Sequence, residues 1–183
     1  MTNLTTNLWL LALLLAGAAG CQPRGGRAET KQRVLMHTSF EELVGWAPEL
    51  PPTLTTEKVH SGKYAVRVDG QHPYSPSFRT ELGQLVTHRP RRFTLSAWVW
   101  VPSFKDDAVF VVAISNPGDP DHPIFSKNVF LTTSGPFEQW KQVSRDFDLP
   151  VTVYSKSLIT IYLWNASANA PVYADDLQLT ELW

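Results

Sequence analysis

From Arg33 onward the chain is built of short runs in which apolar and polar residues alternate, separated by clusters of turn formers. The runs are RVLMHTSF (33–40), KYAVRVD (63–69), SFRTEL (77–82), RFTLSAWVWV (92–101), AVFVVAIS (108–115), IFSKNVFL (124–131), WKQVSRDFDL (140–149), SLITIYLWN (157–165) and VYADDLQLTEL (172–182). Between them stand Ser61-Gly62, HPYSPS (72–77), NPGDPDHP (116–123) and TTSGPF (132–137), segments whose residues set turn geometry. No stretch after residue 20 sustains the 3.6-residue period of an amphipathic helix. Short strands at this spacing predict an all-β fold, an antiparallel β-sandwich of jelly-roll type.

Alternation also assigns faces. In RFTLSAWVWV, Phe93, Leu95, Ala97, Val99 and Val101 share one side and Thr94, Ser96, Trp98 and Trp100 the other. In SLITIYLWN, Ile159, Ile161 and Leu163 oppose Leu158, Thr160, Tyr162 and Trp164. If the aliphatic sets fill the core, the outer sets are aromatic with polar flanks. The last run poses a different problem, because period 2 puts Asp175 on the side of Tyr173, Leu177 and Leu179. A carboxylate on an apolar side needs a partner, whereas Asp176 on the other side is expected to be solvated.

The first twenty residues, MTNLTTNLWLLALLLAGAAG, carry no charge and contain an apolar run too short to span a bilayer comfortably. Ending in small residues, this segment reads as a signal peptide. It leads into Cys21, the only cysteine, so no intrachain disulfide can form and stability must come from the core or a bound ion. The polar stretch that follows reads as a flexible tether up to residue 32, with a coil reach of roughly 20 Å. One domain, residues 33–183, remains. The 16 Lys and Arg balance 17 Asp and Glu without single-sign blocks, which removes the electrostatic footprint of a nucleic-acid partner.

Two family resemblances now enter. Ala18-Ala19-Gly20-Cys21 resembles the lipobox of bacterial lipoproteins, although the leader has no Lys or Arg and Ala18 stands where Leu is usual. It implies lipidation of Cys21 and anchoring to the bacterial cell envelope. Phe40-Glu41 with Gly45-Trp46, HSGKYAVRV (60–68), FTLSAWVWV (93–101), WKQVSRDFDLP (140–150), ITIYLWN (159–165) and VYADDLQL (172–179), in that order, resemble carbohydrate-binding modules. The type is the galactose-binding-like β-sandwich attached to cellulases and xylanases.

That second resemblance implies a structural calcium, held by Glu41, by backbone carbonyls around Ser61 to Lys63, and by Asp175. Hard oxygen ligands from separate segments suit that ion. Glu42 is an alternative to Glu41, and without a metal Asp175 would instead cap neighbouring backbone amides. It also implies a non-catalytic, monomeric glycan binder. Sugar rings stack on aromatic faces and their hydroxyls need polar neighbours, which makes Trp98, Trp100, Tyr162 and Trp164 candidate platforms, with Gln142 and Arg145 as hydroxyl partners. Arg145 shares the parity of Val143 and Phe147, which counts against it, and Trp46 and Trp140 are assigned to packing. Loop residues Tyr74, Phe104 and Phe137 are an alternative site, and a protein partner an alternative ligand.

Enzymatic readings have less behind them. FRTEL (78–82) resembles one motif of jelly-roll alginate lyases, but the companion Gln-Ile-His and Tyr-Phe-Lys-Ala-Gly motifs are missing. The carboxylates Asp106, Asp107, Glu138, Asp146 and Asp148 show no spacing that singles out a glycosidase pair. His37, His60, His72, His88 and His122 form no HExxH or paired zinc pattern, and there is no GxSxG elbow.

Overall fold

The structure, a computed structural model, describes residues 31–43 and 51–183. The leader, Cys21, the tether up to residue 30 and the Gly45-Trp46 pair lie outside the described residues. Among the described residues there are ten strands: β1 Gln32–Thr38, β2 Leu54–Thr55, β3 Ala65–Val68, β4 Phe78–Glu81, β5 Arg92–Trp100, β6 Ala108–Ser115, β7 Phe125–Phe130, β8 Trp140–Asp148, β9 Leu158–Asn165 and β10 Val172–Leu182. Each of the nine runs contains one of them, and β2 is the addition. Ordered pairing begins earlier than expected, since Lys31 and Trp183 exchange two backbone hydrogen bonds of 3.0 Å and Gln32 already opens β1.

The strands form two antiparallel sheets. The first runs β2-β3-β10-β5-β8 with β1 also against β10, and the second runs β4-β9-β6-β7. Between them lies one apolar core. Phe93, Leu95, Ala97 and Val99 of β5 meet Phe110, Val112 and Ile114 of β6 and Ile159, Ile161 and Leu163 of β9 within it. Period-2 alternation therefore places one face of each strand inward as expected, and each fully buried Phe, Leu or Ile contributes about 1.5–3 kcal/mol.

The last strand departs from simple alternation. Val172, Ala174, Leu177 and Leu179 are its core residues, so the inward phase jumps between Ala174 and Leu177. The jump coincides with a register shift against β5 between Asp175 and Gln178 and with a left-handed backbone at Asp176, φ 49°. This is a β-bulge, and an extra residue of that kind re-aims the side chains that follow it. The expectation that Asp175 shares a face with Leu177 and Leu179 is therefore corrected: Tyr173 and Asp175 pair with Trp100 and Trp98 and face out of the core.

At the bulge one edge of β10 also changes partner. Val172–Ala174 pair with β3, whereas Leu177–Leu182 pair with β1. Asp175 and Asp176 occupy the gap between the two ladders, where no strand supplies backbone donors.

Candidate functional site

Side chains and a loop fill that gap. The N–H groups of His60 and Ser61 each donate to Asp175 Oδ2 at 2.9 Å, and Asp176 N–H donates to Oδ1 at 2.8 Å. Glu41 Oε1 accepts the N–H groups of Lys63 at 2.7 Å and Tyr64 at 2.8 Å. Two carboxylates thus clamp residues 60–64 by the backbone. The intervening Gly62 has φ +64°, and a Cβ there would stand 2.5 Å from Glu41 Oε1, so both conformation and space require glycine. Asp175 is fully buried. Burial pushes its carboxyl upward, against the lowering effect of the three N–H bonds.

This geometry differs from the implied calcium site. Glu41 and Asp175 do meet the same loop, but Ser61 and Lys63 turn amide N–H groups toward them where carbonyl oxygens were expected. As arranged, these residues do not make that ligand set. Among the described residues no cluster of three or more His, Cys, Asp or Glu side chains could hold a metal. Asp176, expected to be solvated, accepts Ser61 Oγ at 2.6 Å and lies 2.6 Å from His60 Nδ1, with its side chain 18% exposed.

The clamped loop packs on part of the outer face of the first sheet, at Trp98 and Trp100. His60 stacks on Trp98 with ring centres 3.9 Å apart, and Trp140 meets His60 and Trp100 edge-on at 5.6 and 6.3 Å. Lys58 Nζ stands 4.5 Å from the Trp100 ring centre. Of the two side chains that the sequence placed there as sugar platforms, Trp98 is stacked by protein, and Trp100, which lines a cleft with Lys58, is partly exposed. Gln142 is exposed opposite Trp98, and Arg145 is exposed on the edge strand β8 opposite the core residue Leu95. Neither shares a sheet with Tyr162 and Trp164.

The second sheet carries the other two predicted platforms. Along its outer face β9 presents Thr160, Tyr162 and Trp164, and the central strand β6 presents Ala113, Val111 and Val109 directly opposite them. On the far side β7 brings Ser126, Asn128 and Phe130 opposite the same three β6 residues. By register, small β6 side chains lie between taller ones of β9 and β7, a groove along β6 whose floor at Val109 and Val111 is closed to solvent. Val109 and Val111 are buried yet take no part in the core cluster, as expected of residues lying under flanking aromatics.

Phe130 is 51% exposed and Tyr74 57% exposed. Tyr74 bridges to Trp164 through the backbone and meets Tyr162 edge-on at 6.1 Å. Arg79, exposed on β4 opposite Thr160, supplies a cationic donor beside the groove. Of the lyase-like FRTEL segment, Glu81 is held by Lys156 Nζ at 2.9 Å.

The structure thus separates the four predicted platforms. Tyr162 and Trp164 stand beside β6 on the second sheet, while on the first sheet Trp98 is stacked by His60 and Trp100 lines a cleft with Lys58; all four are partly exposed. Tyr74 joins the groove, whereas Phe137 packs against the core with Lys141 Nζ over its ring. Phe104 remains exposed. Phe130, Asn128 and Arg79 were missed, although the alternation of FSKNVF around its buried Val129 carried the signal for the first two.

No family model matches the chain, and no curated protein does. Its architecture is that of the β-sandwich carbohydrate-binding modules. The CBM22-2 xylan-binding domain of Paenibacillus barcinonensis Xyn10C is similar with a TM-score of 0.53 and 13% identity, over 80% of this chain and 99% of that domain. The C-terminal family 22 module of Clostridium thermocellum Xyn10B gives 0.51 and 14%, over 81% and 92%. The CBM22-1-CBM22-2 tandem of Xyn10C gives 0.51 and 17%, over 84% and 47%. At these identities the likeness establishes the fold.

Proposed function

We propose that the protein is a non-catalytic polysaccharide-binding module whose ligand lies in the groove along β6, against Trp164, Tyr162 and Phe130. The observation that carries this reading is the row of partly exposed aromatic rings beside a small aliphatic floor. Axial C–H bonds of a sugar ring pack on such rings, and Thr160, Asn128, Ser126 and Arg79 stand around them to meet hydroxyls. The fold shared with xylan-binding modules supports a linear plant polysaccharide such as xylan as the ligand class.

Glycoside hydrolysis needs two carboxylates facing across a cleft, and the outward positions of β6, β7 and β9 named above hold none. The leader and Cys21 support attachment of the module by lipid to a bacterial envelope. Calorimetric titration with xylan, xylohexaose and unrelated soluble polysaccharides tests the binding reading. Binding that Trp164→Ala abolishes at unchanged melting temperature is expected. Binding that survives loss of both Trp164 and Tyr162 would overturn the assignment of the groove.

A further inference from the structure

The outer face of the first sheet has a second feature beside the clamped loop. At the end of β5, Trp100 pairs with Tyr173 of β10 and with Trp140 of β8, so three aromatic residues stand in register across three strands. Trp140 meets Trp100 edge-on and Tyr173 is buried, which leaves Trp100 partly exposed between them. A cleft of about 400 Å³ opens there, lined in part by Trp100, Tyr173, Glu57, Lys58 and Glu138. Small-molecule sites are typically ~300–1,000 Å³.

Polar groups of both signs surround this cleft. Glu57 pairs with Arg67 at 3.2 Å, and Arg67 also reaches Asp69 at 2.7 Å. Burial, with the hydrogen bond and charge of Glu57, pushes the Tyr173 phenol up to about 12, so it remains a neutral donor. Lys58 Nζ lies 4.5 Å from the Trp100 ring centre and 5.9 Å from that of Tyr173. Glu138 is exposed and has a left-handed backbone, φ 57°, with its N–H donating to Val101 O at 3.0 Å. Non-glycine residues held in that conformation cluster at ligand clamps. In the adjoining loop, Asp106 and Asp107 are engaged by the hydroxyls of Ser103 and Thr132, and Lys105 lies over Phe104.

We infer that this cleft is a second sugar site, taking one neutral ring of a glycan on Trp100, with Glu57 and Glu138 accepting from its hydroxyls and Lys58 donating. An aromatic face ringed by acceptors and a donor is what a neutral polyol needs. An anionic ligand would meet two carboxylates, and an organic cation would have to evict the ammonium already over the indole. Lys58 is the flexible member, and a ring on Trp100 shifts it from the indole to a hydroxyl. The inference does not depend on the groove, which lies on the other sheet. With both filled, one molecule holds two sugar segments on opposite faces.

Titration of isotope-labelled protein carrying Trp164→Ala, followed on the tryptophan indole N–H resonances, tests the cleft apart from the groove. The probes are xylose, glucose, galactose and mannose, with glucosamine and glucuronate as charged counterparts. At least one neutral sugar should shift the Trp100 indole saturably, with a dissociation constant on the order of 1 mM. The charged sugars should bind about threefold or more weakly. Glu138→Gln should weaken the binding about tenfold at unchanged melting temperature, and Trp100→Ala should remove it. A Trp100 indole unmoved by every neutral sugar, tighter binding of either charged one, or binding that survives Trp100→Ala would each overturn the inference. A one-ring site this weak does not register in the polysaccharide calorimetry, so the groove and the cleft fail separately.

Discussion

The outer faces of the two sheets carry the same kind of sequence and differ in what packs against it. Each presents two aromatic residues at alternate positions of a central strand, Trp98 and Trp100 on β5 and Tyr162 and Trp164 on β9. On the first sheet the loop clamped by Glu41 and Asp175 lays His60 on Trp98 and brings Lys58 over Trp100. On the second, the segment around Tyr74 runs beside β9 and meets Tyr162 edge-on, and the neighbouring strand offers Val109, Val111 and Ala113. Alternation decides which way a side chain points. What then lies above it is decided by chain tens of residues away.

Substitution on each face should break the symmetry most visibly. Trp164→Ala should weaken polysaccharide binding about 30-fold, the scale of an aromatic anchor lost from an interface, while Trp98→Ala should change it less than about twofold. Titration of both variants checks this, and an equal loss from the two would dissolve the distinction.

The clamp comes next. Asp175→Ala strands the N–H donors of His60, Ser61 and Asp176, and should cost about 3 kcal/mol, or roughly 6–12 °C in melting temperature for a domain of this size. Polysaccharide affinity measured well below the transition should stay the same, because the loop lies on the other sheet.

A smaller effect concerns Asp106, which accepts Ser103 Oγ at 2.6 Å and the N–H groups of Asn169 and Ala170 at 3.1 and 3.0 Å. Burial pushes its carboxyl up, but the bonds from Ser103, Ala170 and Asn169 outweigh it and hold the group below the usual carboxylate range. With a folded value below the unfolded one, its stabilisation is present above the unfolded value and is lost as pH falls through the folded one. Asp106→Asn should therefore lower the melting temperature near neutral pH by an amount worth about 1 kcal/mol. The gap to the parent should close in strong acid. A gap independent of pH would point to shape and not charge.

Smallest of all should be the effect of a chelator. Because Glu41 and Asp175 are met by N–H donors, EDTA should leave the melting temperature within about 1 °C. A clear fall would show that a cation organises the clamped loop.

Much of the fold was legible, because β5, β6 and β9 alternate cleanly and Gly- and Pro-rich turns separate the strands. The phase of β10 was not. Period 2 cannot register the extra residue at Asp175-Asp176, whose left-handed conformation only a neighbouring loop makes useful. Half the candidate site was readable as well, in Tyr162 and Trp164. Arg79 stood out only as part of a lyase-like motif, and the loss of Trp98 to His60 follows from a pairing between β10 and residue 60 that no local pattern encodes.

The pairing of β1 along β10 also bears on how the molecule carries tension. The chain enters at Lys31, beside Arg92 where β5 begins, and β5 runs about 30 Å to Trp100. There β6 opens beside Asn165, the neighbour of Trp164. If the segment before Lys31 is a tether and a polymer lies along β6, as proposed, a pull on the one and a drag on the other would act toward opposite ends, lengthwise along the strands. The ladder joining β1 to β10 would be loaded in shear, with its six register pairs strained together. Peeling would break them in succession, whereas shear requires them to fail as one.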